Sequence, residues 1–222
     1  MMDIKIYYIP EYQGISITSN FAEIKRMMDI GVNPKVEYKE ISKSDFHMYP
    51  IKSISFEMVD NDYFQNVTDI FVGRRFEYLS FYDSVINFSD VLLNVKHLVI
   101  GQKCKVDLSA NNFKDLEEIT FLELKSFKGK IVSEFNSVEK IVLWFESKKA
   151  NGILTKFPSL KRLDIFNGSE TKLDLRTNKD LESLKLGNLS KLEEILFDPA
   201  TIIITATIEN CKKLNLGAIP KS

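Results

Sequence analysis

A six-residue phrase with apolar residues at its first, fourth and sixth positions recurs along this chain at nearly constant intervals. We write it LxxLxL and allow any aliphatic or aromatic residue at L. Regular copies, 21 or 22 residues apart, begin at Val95, Leu116, Val138, Leu160 and Leu181. Looser copies begin at Ile51, Val67, Phe76, Leu192 and Cys211. Alternating apolar positions predict strands with one buried face, and because one copy cannot cover its own apolar side, the fixed period predicts that these strands stack around one core.

The phrase and its period resemble those of the leucine-rich-repeat proteins. The resemblance covers about three quarters of the chain and implies a solenoid of short parallel strands with the aliphatic side chains inside. The family's asparagine at the ninth repeat position is replaced here by Lys103, Leu124, Glu146, Gly168 and Leu189. No regular asparagine ladder is therefore expected. The segments "LEEILFDP" and "IENCKKLNL" also resemble irregular bacterial repeats.

Shorter apolar segments precede several copies: "KVDLS" at Lys105, "GKIVSEF" at Gly129, "NGILTKF" at Asn151 and "TKLDLRT" at Thr171. We interpret their alternation as extended structure rather than long helices. The predicted fold is an α/β or mainly β repeat solenoid over residues 47–222, a leucine-rich-repeat-like stack of parallel strands. Residues 1–46 do not repeat and are interpreted as an N-terminal α+β cap, with strands at "DIKIYYI" and "GISIT" and a short helix at "NFAEIKRMMDIG".

Composition limits the partners that this chain is expected to have. Its 30 Lys and Arg nearly cancel its 31 Asp and Glu, so no overall field attracts nucleic acid. Cys104 and Cys211 lie far apart outside any CxxC pairing, which indicates reduced structural thiols rather than disulfides or a zinc site. Charges at Asp3 and Lys5 interrupt any signal-peptide core, and no apolar run reaches the length of a membrane helix. We therefore expect a cytoplasmic protein that binds neither nucleic acid nor membrane.

Motifs for catalysis, cofactors or metals do not appear in the sequence. His47 and His97 lack HExxH spacing, and neither a nucleophile elbow nor a phosphate-binding or dinucleotide-binding glycine loop is present. The sequence therefore predicts a non-enzyme without cofactor or metal. The alternative is a solenoid enzyme acting on a polysaccharide or similar polymer, with Glu118, Asp164 and Lys185 as outward acids and bases.

The third, fifth and seventh positions of the phrase are expected to project outward, because side chains alternate along a strand. Strands about 4.8 Å apart would then join the seventh-position residues Leu122, Trp144 and Phe166 into one apolar patch. Trp144 is the only tryptophan, and aromatic residues beside arginine often anchor protein interfaces. The predicted partner-binding residues are Leu122, Trp144, Phe166, Val142, Val99, Lys140, Arg162, Asp164 and Tyr82. In the alternative, these side chains turn inward or are covered by the cap or a loop.

These expectations together predict a non-catalytic protein-protein interaction module. Scaffold, inhibitor and immunity-type roles all remain open, because a fold does not identify a partner. At the C-terminal side, "LNL" predicts a last strand, and Lys212, Lys213 and Pro220 nearby would discourage another chain from pairing with it. We therefore expect a monomer, with end-to-end pairing of two chains through residues 214–219 as the alternative.

Overall fold

The computed structural model describes residues 4–19, 37–89, 91–145 and 149–220. Within these ranges a large, mostly parallel β-sheet of twelve strands dominates the structure. Strands such as β12 and β14 carry the alternately buried pattern of the sequence phrase, whereas all residues of β2 are buried. They are β1 (Lys5–Ile9), β2 (Gly14–Thr18), β3 (Lys39–Glu40), β4 (Ser53–Glu57), β5 (Arg75–Tyr82), β6 (Val85–Ile86), β7 (Leu93–Ile100), β8 (Lys105–Val106), β9 (Phe113–Lys114), β10 (Glu118–Phe121), β11 (Lys140–Trp144), β12 (Arg162–Phe166), β13 (Lys172–Leu175), β14 (Ser183–Gly187), β15 (Glu194–Phe197) and β16 (Thr205–Glu209).

The strand order in the large sheet is β16-β14-β12-β11-β10-β7-β5-β4-β2-β1-β3, with β9 beside β7. Helices are short, and none in the described ranges is long and apolar enough to span a membrane. In the described part of the chain, the α-helices are Asn61–Asn66 and Ala150–Leu154. The 3-10 helices are Pro10–Tyr12, Lys43–Met48, Thr68–Phe71, Ala110–Asn112, Leu124–Ser126 and Leu216–Ala218. The helix predicted at "NFAEIKRMMDIG" lies outside the described residues.

Equivalent positions of the phrase lie side by side in the sheet. Leu163 of β12 pairs with Ile141 of β11 and with Leu184 of β14 in parallel register. The apolar phrase positions predict a common core, and in the copies at Leu160 and Leu181 the fourth and sixth positions, Leu163, Ile165, Leu184 and Leu186, are all fully buried. This prediction is confirmed. It follows that the LxxLxL spacing sets both the strand register and the buried face.

Short strands lie away from the large sheet, in the parallel pairs β6–β8 and β13–β15. The segments "KVDLS" and "TKLDLRT" contain β8 and β13, so their extended structure is confirmed. The prediction for "NGILTKF" is wrong, because this segment contributes to the helix Ala150–Leu154. Ala150, Ile153, Leu154 and Phe157 are buried, and their spacing of three, four and seven residues is that of one helix face.

Phenylalanine rings link successive copies inside the core. The ring centroids of Phe88 and Phe113 lie 5.3 Å apart, those of Phe113 and Phe135 lie 6.0 Å apart, and those of Phe135 and Phe157 lie 5.5 Å apart. The last three rings each precede a copy of the phrase by three residues. Such ring pairs stabilise beyond their simple burial, so this row ties neighbouring turns of the chain together.

The two ends of the sheet differ from each other. The segments predicted as strands near the N-terminus contain β1 and β2, and β2 pairs parallel with β4 to continue the sheet. β16 lies at the opposite edge. The prediction of a strand at "LNL" is wrong. There the Asn215 side chain accepts a hydrogen bond from Gly217 N at 3.0 Å and starts a 3-10 helix instead.

Candidate functional site

Two aromatic side chains stack where β11 and β12 end. Trp144 and Phe166 pair in register, with ring centroids 4.4 Å apart and an interplanar angle of 26°. Both occupy the seventh, outward position of the phrase, and Trp144 is 36% exposed. The structure therefore brings together the two aromatic residues that the sequence placed in one patch, and it leaves Trp144 open to solvent.

Glycine on the next copy gives two rings of this row, Phe166 and Tyr82, their space. A Cβ added to Gly187 would lie 2.7 Å from Phe166 Cδ1, which shows that the Phe166 ring leans across that glycine. Tyr82, at the end of β5, leans across Gly101 in the same way, and an added Cβ there would overlap its ring. Tyr82 therefore joins the seventh-position row from two strands beyond β10.

Leu122 and Phe145 extend the patch. Leu122 follows β10 directly and is half-buried, one strand away from Trp144 in the sheet. Sequence reasoning missed Phe145, which is 46% exposed and adopts a left-handed φ of 51° immediately after Trp144. A bulky residue in this conformation is uncommon. We name the four side chains Leu122, Trp144, Phe145 and Phe166 the apolar patch.

An asparagine ladder borders the apolar patch, one position earlier than in the repeat family. Asn188 Nδ2 donates to Asn167 Oδ1 at 3.0 Å, and Asn210 Nδ2 donates to Asn188 Oδ1 at 2.8 Å. All three residues have a left-handed φ between 56° and 58°. This short ladder of three does not extend to the earlier copies, whose eighth positions carry Gln102, Glu123 and Phe145. The sequence contained a signal for it, since asparagine recurs at the eighth position at intervals of 21 and 22 residues.

Cationic side chains lie beside the apolar patch. Lys185 Nζ lies 5.4 Å from the Phe166 ring centroid, and Lys125 Nζ lies 5.6 Å from that of Phe145. Arg162 is exposed on β12, two residues before Asp164. Burial raises the pKa of Asp164, while nearby Lys140 and Lys185 act in the opposite direction. Of the predicted residues Lys140, Arg162 and Asp164, the first two begin β11 and β12, four residues before the aromatic pair, and Asp164 lies two residues before Phe166.

The fifth-position row lies between the patch and the strand starts. Val99, Thr120 and Val142 pair across β7, β10 and β11. Val99 is half-buried, but Val142 is only 9% exposed, so neighbouring side chains cover most of it. These valines support the outer face more than they enlarge its exposed apolar area.

A charged groove of about 590 Å³ crosses the beginnings of the same strands. In it, Glu118 lies 3.0 Å from Lys140 Nζ and 3.4 Å from His97 Nε2, and His97 Nε2 lies 3.0 Å from Thr120 Oγ1. Burial lowers the pKa of His97, and the Glu118 carboxylate opposes that shift. Of the three groups considered for an enzyme, Glu118 lines this groove, whereas Asp164 and Lys185 do not.

In the described part of the chain, no group of three or more His, Cys, Asp or Glu side chains is arranged to hold a metal ion. No protein-family model matches this chain, and comparisons with curated proteins and with solved structures find no match either.

Proposed function

We propose that this protein is a non-catalytic, leucine-rich-repeat-type solenoid that binds a protein partner through the outer face of β10, β11 and β12. The stacked and partly exposed Trp144–Phe166 pair carries this proposal. The parallel register of equivalent phrase positions supports the repeat architecture. Scaffold, inhibitor and immunity-type roles would all use such a face.

The exposed rings of the apolar patch are held in place by buried residues of the same strand. Trp144 and Phe145 expose large rings, although their neighbours on the strand, Ile141 and Leu143, are fully buried. The stack with Phe166 fixes the Trp144 ring before any partner arrives, so binding loses little side-chain entropy. Aromatic anchors surrounded by polar groups supply most of the binding energy at many interfaces. Lys185 and Lys125 give this patch a cationic rim, which favours a partner with an apolar side chain flanked by carboxylates.

A capture experiment with matched variants tests the proposal. The wild-type chain is used as bait in extracts of its source cells, the captured protein is purified, and its affinity is measured by calorimetry. Trp144→Ala should weaken binding by about 2 kcal/mol or more, which corresponds to roughly 30-fold. Tyr12→Ala serves as the control, because Tyr12 is an exposed aromatic residue in the 3-10 helix before β2. Equal affinity of the wild-type and Trp144→Ala chains for the captured protein would contradict the proposed site.

The charged groove favours a second candidate, an enzyme acting on a polysaccharide or similar polymer. Its lining by charged residues at the starts of several strands and its Glu118–His97 pair are the observations behind this candidate. However, Asp164 and Lys185 do not line the groove, so the acids and bases expected from the sequence do not converge there. Release of reducing ends from a panel of polysaccharides, abolished by Glu118→Gln, would establish the enzyme and contradict a purely binding role.

A further inference from the structure

In the described part of the chain the strand β16 forms the outer edge of the large sheet, and its core-facing side is only partly covered. Among the described strands it pairs only with β14. Ala206 and Ile208 pair with Leu184 and Leu186, which are fully buried, yet Ala206 is exposed and Ile208 is half-buried. Apolar surface that neighbouring strands cover elsewhere in the sheet is therefore only partly covered here.

The backbone N–H and C=O groups of β16 point alternately toward β14 and toward the open edge of the sheet. Thr205 N donates to Glu182 O at 3.0 Å, and Asn188 N donates to Glu209 O at 2.9 Å, so both residues turn their backbone groups toward β14. Backbone groups alternate in direction along a strand in a parallel ladder. Consequently Ala206 and Ile208 direct their N–H and C=O groups away from β14, toward the open edge.

The features expected to block this edge lie elsewhere. Within β16 the charged residue is Glu209, at the C-terminal end of the strand, and there is no proline. Lys213 bonds to Glu193 at 2.9 Å, and Lys212 lies outside β16. Pro220 O accepts a hydrogen bond from Ile203 N at 3.3 Å, two residues before the strand begins. Charge and proline are the usual protections of an edge strand. These protections therefore do not cover the central residues of β16, which are Ala206, Thr207 and Ile208.

We propose that β16 pairs in antiparallel orientation with β16 of a second copy of this chain, across a two-fold axis at Thr207. In this register Ala206 faces Ile208 of the second copy, and both residues exchange backbone hydrogen bonds. Thr207 faces Thr207, and Glu209 faces Thr205, so no like charges meet. A two-fold axis closes the assembly at two copies. This inference uses a surface separate from the apolar patch and does not depend on the proposed function.

Light scattering over a wide concentration series tests the pairing. The wild-type chain should approach twice 25.6 kDa as its concentration rises. Ala206→Lys should shift the mass back toward 25.6 kDa, because it places a charge against Ile208 of the second copy. Ala206→Pro should do the same by removing an N–H that points to the open edge. Ser183→Lys is the control, because it adds the same charge to the outer face of β14 and should leave the larger mass unchanged.

Circular dichroism and urea unfolding check that each variant is folded. If Ala206→Pro fails to fold, Ala206→Lys decides, since it leaves the backbone donors and acceptors in place. A wild-type mass of 25.6 kDa at every concentration would overturn the pairing. A larger mass that persists in folded Ala206→Lys would overturn it as well.

Discussion

Replacing Gly187 with alanine should displace the Phe166 ring and so disturb its stacking on Trp144. The added Cβ would lie 2.7 Å from Phe166 Cδ1 and 3.2 Å from Cε1. Carbon atoms pack at about 3.5 to 4.0 Å, so the ring must move by roughly 1 Å. Trp144 already stacks on this ring at 4.4 Å, which leaves little room in that direction. Overpacking in cores costs about 1 to 3 kcal/mol, and because Phe166 is half-exposed we expect about 1 kcal/mol here.

Urea unfolding followed by tryptophan fluorescence measures both effects, because Trp144 is the only tryptophan in the chain. Gly187→Ala should lower the free energy of unfolding and change the native emission spectrum. Gly152→Ala is the matched control, since its added Cβ meets nothing within 4 Å in the helix Ala150–Leu154. The free energy of unfolding of Gly152→Ala should rise by about 0.5 to 1 kcal/mol. Unchanged emission and stability in Gly187→Ala would refute the argument that the Phe166 ring lies across this glycine.

Three further outcomes follow from burial. Leu163→Ala and Leu184→Ala should each lower the free energy of unfolding by about 2 to 5 kcal/mol, and unchanged urea midpoints in both would contradict the strand register. Burial lowers the pKa of His97, so the unfolded chain binds its proton more tightly and stability should fall as the pH drops below about 6.5; His97→Gln should reduce that fall in urea titrations. Burial raises the pKa of Cys104 to about 11 and also raises that of Cys211. A thiol reagent at neutral pH should therefore modify neither cysteine before the chain unfolds. Rapid labelling of the native chain would contradict this expectation.

The core could be predicted from sequence because burial at the first, fourth and sixth positions is a local pattern repeated many times. Leu163 and Leu184 follow this pattern and are buried in paired strands. The segment "NGILTKF" was misjudged because it is short, and its apolar residues fit a helix once Ala150 is included. Alternation and helical spacing differ little over so few residues. The strand prediction for "LNL" was wrong for a different reason, because the Asn215 side chain starts a turn that apolar periodicity does not reveal.

The outer face was less predictable than the core. Trp144 and Phe166 could be paired in advance because a parallel register follows from the period. The exposure of Phe145 depends on its left-handed backbone, which occurs at the position where other copies carry Asn167 and Asn188. A short polar side chain tolerates this conformation, whereas phenylalanine gains no local hydrogen bond from it. Phenylalanine at an asparagine position was thus the available signal, and it required knowledge of where each strand ends.

The same geometry sets the width of the seventh-position row. Large seventh-position rings lean toward the following strand, so each ring at the end of a run needs a glycine beyond it. Gly101 accommodates Tyr82 on one side, and Gly187 accommodates Phe166 on the other. Between these glycines, Leu122 and Trp144 complete the row without a further gap. The row thus runs from β5 to β12, a distance of about 19 Å for four strand spacings. A partner that uses the whole row must therefore lie across the strands rather than along any one of them.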